Sequence, residues 1–172
     1  AYNARELYLN LYVGGEVRVP FADGERRIRV ETEYPWEGRV AVHMVDALPT
    51  PMVLHVRRPG WCRRAELRVN GAVTEVQADE TGYWVLSREW KAGDILSVAM
   101  DMPVERMEAH PNIQSCRGKV AIQRGPLIYG FEGIDNHGRA RVRLGKEPSW
   151  AIERCLDLLG DVVVVRARAM DG

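Results

Sequence analysis

The chain has 172 residues, 46% of them hydrophobic, with 24 Lys plus Arg balancing 24 Asp plus Glu. That composition is too apolar for disorder, and the length suits one domain or two small halves sharing a core. The charge balance gives no reason to expect nucleic acid or an anionic membrane as partner, and no run of about 18 apolar residues could span a bilayer.

In chain order, Leu7, Leu9, Leu11 and Val13 alternate with Tyr8, Asn10 and Tyr12, which predicts one strand. Its second face carries two tyrosines, so the Tyr8/Tyr12 face is expected to lie against a second sheet or another domain. After Gly14-Gly15 comes EVRVP, then the turn signal Ala22-Asp23-Gly24 and the strand RRIRVETEY, with Ile28 and Val30 on one face. RVAVHMV aligns Val40, Val42 and Met44. Ala47 to Pro51 is a proline-bearing loop, and MVLHVRR stops at Pro59-Gly60.

AELRVNG ends at Asn70-Gly71, the strongest hairpin signal present, and AVTEVQ should return from it. YWVLS and ILSVAMDM follow, and VERMEAH runs to Pro111. The longest apolar stretch of the second half is Val120 to Glu132. Here Gly125-Pro126 interrupts two apolar runs, which predicts a core strand that jogs and continues in the same direction. Asp135 to Gly138 is a loop. SWAIERCLDLLG fits a helix or a strand equally, and VVVVRARA is the last clear strand.

Turn signals recur roughly every 8–12 residues, as in sandwiches and barrels. The expected fold is therefore all-β: an antiparallel β-sandwich over residues 1–172, as one unit or two packed sub-sandwiches, with little or no helix.

No residue pattern marks a complete catalytic centre. Glu31 and Glu33 share a strand face, roughly 6–7 Å apart at the backbone, within reach of a glycosidase pair. Arg27 and Arg29 extend the same row, which reads as a solvated charged face. Cys62 has arginines nearby that could lower its pKa, but a nucleophile also needs a positioned base. His43 and His55 lie on strands, so buried structural cysteine is the simpler account of Cys62. Cys62, Cys116 and Cys155 are odd in number and far apart, which argues against a disulfide framework and for a reducing, cytoplasmic setting. With the four histidines, His110 in a loop among them, they show no compact ligand spacing, so no metal site is expected.

Of five tryptophans, Trp84 alternates with Leu86 and reads as core, while Trp90 and Trp150 are uncommitted. Trp36 and Trp61 sit at turns. With Tyr8 and Tyr12 they are the candidate surface for stacking on sugar or docking a neighbouring domain. Arg57, Arg58, Arg63, Arg64 and Arg68 form a solvated basic rim.

Five phrases, LYLNLYVGGE, ETEYPWEGRV, RRPGWCRRAELRVNG, GYWVLSREWKAGD and RGKVAIQRGPLIYGFE, occur in this order, with DLLGDVVVV as a weaker sixth. Together they resemble the C-terminal, β-rich part of glycoside hydrolase family 127, the β-L-arabinofuranosidase-like enzymes. The resemblance implies a parent with a catalytic (α/α)6 barrel followed by β-sandwich domains. It also implies a zinc-bound cysteine nucleophile and a glutamate acid/base, all from the barrel, including a Cys-Cys pair upstream of the LYLNLYV-like strand. Cys62, Cys116 and Cys155 match none of those ligands, so no catalytic residue and no cofactor is expected in this chain. The missing initiator Met points to an excised fragment. The family's further strand, rich in tyrosine and tryptophan, is not found after Gly172, so an open edge is expected. The implied partner is the barrel, with homodimerisation as a second role. An independent carbohydrate-binding module is the alternative function.

Overall fold

The computed structural model describes residues 1–21, 24–46, 51–138 and 142–171. The Ala22-Asp23 part of the first turn signal and residues 47–50 of the proline-bearing loop lie outside them. Two compact units divide the chain, Ala1–Met102 and Pro103–Gly172.

Among its described residues unit 1 holds nine strands: β1 (Glu6–Leu9), β2 (Gly15–Phe21), β3 (Gly24–Thr32), β4 (Arg39–Met44), β5 (Met52–Arg57), β6 (Ala65–Val69), β7 (Ala72–Val73), β8 (Tyr83–Arg88) and β9 (Ile95–Met100). They form a six-stranded sheet, ordered β2-β3-β4-β9-β6-β7, and a three-stranded sheet, ordered β1-β5-β8. The period-2 pattern fixes the register. Val30 pairs with Val42, Val42 with Leu96, and Leu96 with Val69, so one apolar row crosses four strands. Leu7, Leu54 and Leu86 make the matching row of the small sheet. Both rows are buried in one core. Each such side chain contributes roughly 1.5–3 kcal/mol on leaving water, and slipping a strand by one residue would expose its whole set.

The ladders are antiparallel except that β1 runs parallel to β5. A hairpin cannot make such a pair, which here joins strands far apart in sequence. The alternation of β1 also ends early. The strand stops at Leu9, the chain bends at Leu11, and the phase inverts: Leu11 and Val13 are exposed while Tyr12 turns inward. The expected single strand from Leu7 to Val13 is thus half that length.

Asn70 and Gly71 form the two-residue loop between β6 and β7, with φ of 51° and 82°. Positive φ at both positions is the type I′ condition, and Asn-Gly meets it with least strain. Only Ala72 and Val73 pair back, so AVTEVQ is a short return rather than a full strand. Trp84 is core as its alternation predicts, and Trp90 is buried, donating Nε1–H to the Met52 carbonyl at 3.1 Å.

Unit 2 contains β10 (Val104–Glu108), β11 (Val120–Arg124), β12 (Leu127–Tyr129), β13 (Val142–Leu144), β14 (Trp150–Cys155), β15 (Val162–Ala167) and β16 (Ala169–Asp171). They make three sheets, β10-β11-β12, β13-β16 and β14-β15. Two single-turn 3-10 segments, Gln114–Cys116 and Ile134–Asn136, are the only helical residues among those described. The chain is all-β.

One expectation is corrected here, and one open alternative is resolved. The Val120–Glu132 stretch is not one strand continuing through a jog. Arg124 pairs with Leu127, so Gly125-Pro126 is a two-residue hairpin loop and the chain reverses. Gly125 has φ of 56° at the first loop position, where two-residue hairpins with a leading glycine turn. The Gln123 side-chain amide donates to its carbonyl at 2.8 Å. Nor is the stretch uniformly core, since Ile128 is 62% exposed. SWAIERCLDLLG resolves as strand β14 followed by a turn, with Leu156 and Leu159 exposed. Cross-strand pairing of Ile152 with Val165 uses the alternation that the helical spacing had equalled.

Candidate functional surface

The outer face of the β1-β5-β8 sheet follows from its inner one. With Leu7, Leu54 and Leu86 turned to the core, alternation turns Tyr8, His55 and Val85 outward in the next row. Tyr8 stacks on His55 with ring centroids 4.1 Å apart and an interplanar angle of 9°. Tyr83 meets both rings edge-on, at 5.7 and 6.1 Å. The polar tips are tied down. Tyr8 Oη donates to Glu6 Oε2 at 2.7 Å, Asn3 Nδ2 donates to the same oxygen at 2.7 Å, and Tyr83 Oη donates to Asn10 Oδ1 at 2.8 Å. These bonds hold the Glu6 carboxyl below its ordinary pKa and push the Tyr8 phenol up. All three rings are half-buried. The result is a rigid aromatic face with fixed acceptors. It suits stacking against another surface.

A second aromatic group lies around the bend after β1. Tyr12 is 5% exposed, its hydroxyl donates to the Arg57 carbonyl, and burial raises its pKa. It meets Tyr34 edge-on at 5.4 Å, and Tyr34 stacks with Trp61 at 6.4 Å and 21°. Tyr12 therefore belongs to the core of its own unit, while Trp61 is a half-buried residue packed against that core. Trp36 is half-buried in the turn after β3, its N–H donating to the Glu33 carbonyl at 2.9 Å. So the structure joins Tyr12 to Trp61 through Tyr34 and puts Tyr8 in a different cluster. Tyr34 and Tyr83 were not singled out from the sequence, and His55 was weighed only as a strand histidine near Cys62 or in a metal site. Yet the alternation of YWVLS, with Trp84 inward, already placed Tyr83 on the outer face.

The remaining candidates disperse. Glu33 lies past the end of β3, so Glu31 and Glu33 share no strand face. Glu31 is open to solvent, with Arg29 Nε at 3.2 Å and His43 Nε2 at 3.1 Å. Cys62 is buried, and burial pushes its thiol up, opposite to what a nucleophile needs. Its Sγ–H donates to the Arg64 carbonyl at 3.3 Å. All three cysteines are free thiols. His110 is in a turn, where its Nδ1 accepts the Asn112 N–H at 3.3 Å. The basic rim is exposed, with Arg64 bonded to Asp101, Arg68 to Glu66, and Arg58 to the Cys62 carbonyl. Among the described residues no three His, Cys, Asp or Glu side chains gather to hold a metal. No step through a metal is assigned to the chain's cysteines. No helix among the described residues is long and apolar enough to cross a membrane.

Comparison with known proteins identifies the family. Residues 6–102 match the family described as "Beta-L-arabinofuranosidase, GH127 middle domain" and residues 104–164 the "Glycoside hydrolase family 127 C-terminal domain". The chain belongs to glycoside hydrolase family 127. The change from one matched region to the next falls where unit 1 gives way to unit 2.

A non-reducing end β-L-arabinofuranosidase of Bifidobacterium longum subsp. longum is 35% identical over 124 residues, which is 69% of this chain and 18% of that protein. The crystal structure of a GH127 β-L-arabinofuranosidase from Geobacillus stearothermophilus T6 superposes with a TM-score of 0.89 at 36% identity, over 98% of this chain and 27% of that one. A GH127 β-arabinofuranosidase structure matches with a TM-score of 0.88 at 25% identity, covering 96% of this chain and 28% of its own. The chain therefore spans less than a third of the length of these family 127 relatives.

Proposed function

We propose that this chain is a non-catalytic β-sandwich region of a β-L-arabinofuranosidase-like glycoside hydrolase, where it supports and caps the catalytic (α/α)6 barrel. One observation carries the reading. The residues align with under a third of family 127 enzymes of that activity, and their own potential nucleophile is a buried thiol pushed away from reactivity. The zinc chemistry that the family resemblance implies then belongs to the barrel. The half-buried Tyr8, His55 and Tyr83 face is the docking surface. Both tyrosine hydroxyls are already hydrogen-bonded and the rings packed on one another, so covering the face costs little ordering entropy.

Thermal inactivation of the full-length enzyme, with and without residues 1–172, tests the role. Truncation is expected to shorten the half-life while any surviving molecules turn over normally. An unchanged half-life refutes a supporting function.

The second part of the proposal is homodimerisation through apolar residues that unit 2 exposes, including Ile128, Phe131 and Ile152. Analytical ultracentrifugation over a concentration series decides it. We also propose a reducing compartment such as the cytoplasm, a reading that the three free thiols support.

An independent carbohydrate-binding module is the competing function, favoured by Trp61 stacked on Tyr34 at the unit's surface. Saturable fluorescence quenching by arabinose-containing oligosaccharides, lost in Trp61→Ala or Trp36→Ala, would support that reading over docking.

A further inference from the structure

We infer that the edge of β1 opposite β5 carries one more strand, begun by Ala1 to Asn3, and that its continuation is the polypeptide joined to the amino group of Ala1 in the larger family 127 protein. The inference rests on the proposed accessory role, because it needs the chain to be continuous with other domains.

The geometry begins with a ladder already under way. Tyr8 N–H donates to the Ala1 carbonyl at 2.8 Å, and the Ala1 amino group donates to the Tyr8 carbonyl at 3.1 Å. Tyr2 is bridged to Leu7 in antiparallel sense, and Asn3 N–H donates to the Glu6 carbonyl at 3.0 Å. Asn3 Oδ1 closes the turn by accepting the N–H groups of Arg5 and Glu6. Ala1 to Asn3 thus lie along β1 on the edge opposite β5.

Extending this pairing by alternation puts the residue before Ala1 opposite Leu9, and the one before that opposite Asn10. Paired residues share a sheet face. Leu9 faces inward with Leu7, so the residue opposite it must also point inward.

What it meets there is a cavity of about 170 Å³. Leu7, Leu9, Val17, Val19, Ile28 and Val30 line it. Val17 is left 50% exposed at its mouth. A dry apolar cavity of roughly 150 Å³ is large enough to admit a benzene-sized group. An apolar side chain entering from the β1 edge fills the space and covers Val17.

The occupant is favoured in cis because the hairpin is already closed by Asn3 and its extension needs no further loop closure. A second copy of the chain would first have to strip Ala1 to Asn3 from the edge.

The test compares three N-terminal extensions of the whole chain. One carries the full-length protein's own upstream residues. The second carries the same residues with one glycine inserted before Ala1, which turns every side chain to the opposite face. The third is a Gly-Ser extension of equal length.

The first is expected to raise Tm by about 2–4 °C and to slow hydrogen exchange at the Asn10 amide roughly fivefold, while the other two match the unextended chain. Equal Tm values for all three, or an equal rise in the first two, would overturn the inference. So would an unchanged Asn10 exchange rate. If the unextended chain proves dimeric and the first extension leaves the dimer intact, the edge belongs to a second copy and the inference is also overturned. None of these outcomes depends on catalysis, so the inference and the accessory role can fail separately.

Discussion

Replacing Asp94 with alanine is the most informative single change in unit 1. Asp94 is 7% exposed at the turn into β9. Its carboxylate accepts the Lys91 N–H at 2.9 Å and the Asn70 side-chain amide at 2.8 Å, with Arg88 Nη2 at 3.8 Å. Asn70 in turn accepts the Ile95 N–H through Oδ1 at 2.8 Å. One carboxylate therefore ties the β6–β7 hairpin loop to the start of β9. Asp94→Ala leaves the Lys91 N–H and the Asn70 amide, both on exposed residues, without their carboxylate partner. Each such hydrogen bond contributes about 0.5–1.5 kcal/mol net, so the pair should cost about 1–3 kcal/mol at neutral pH.

The pH dependence has a definite sign. The Lys91 N–H and the Asn70 amide hold the Asp94 carboxyl below its ordinary value. A group with a depressed folded pKa contributes stability above its unfolded pKa of about 3.9 and loses it as pH falls through the folded value. Urea denaturation of wild type and Asp94→Ala, followed by circular dichroism from pH 7 down to acid, should show a gap that is full at pH 7 and narrows below about pH 4. A gap under about 0.5 kcal/mol at pH 7, or one that widens on acidification, refutes the reasoning.

Glycine 38 should be intolerant for a purely steric reason, since a Cβ there would lie 2.1 Å from the Met100 carbonyl oxygen. Gly38→Ala is expected to destabilise by about 2–3 kcal/mol in calorimetry, whereas Gly60→Ala, which meets nothing within 4 Å, should stay within about 0.5 kcal/mol of wild type. Trp90→Phe removes the indole donor to the Met52 carbonyl and weakens the Arg88 contact over the ring, centred 5.2 Å away. A loss of about 1–3 kcal/mol in chemical denaturation is expected. Tyr12→Phe leaves the Arg57 carbonyl without the hydroxyl that now donates to it, and thermal melting should show a loss of about 1–2 kcal/mol.

Local signals carried furthest in unit 1. Ile28/Val30, Val40/Val42/Met44 and Trp84/Leu86 could be phased from alternation alone, because one buried face forces period 2. Asn70-Gly71 could be read because few residue pairs tolerate two positive φ angles in succession. Pairings that close over many residues could not be read. Nothing in LYLNLYV says that it runs parallel to MVLHVRR, nor that Leu11 bends outward so that Tyr12 can reach the Arg57 carbonyl.

Gly125-Pro126 failed differently. A proline between apolar runs fits a jog or a turn, and the choice rested on Gly125 taking the left-handed region. Arg26 is 3% exposed beside Ile28 and Val30 on the same alternation. Periodicity could place it, but not the Phe21 ring 5.1 Å from its guanidinium. At the functional surface, Tyr8 was legible as an outward residue, whereas its stacking on His55 depends on the parallel pairing of β1 with β5.

The central claim is that these residues build apolar sheets and an aromatic docking face while bond cleavage belongs to the rest of the enzyme. Turnover of an aryl β-L-arabinofuranoside by the chain alone, with zinc supplied, measures this most directly beside the full-length enzyme. The account predicts release of the aryl alcohol by the full-length enzyme and none above buffer by residues 1–172. Zinc-dependent release by residues 1–172 alone would contradict it.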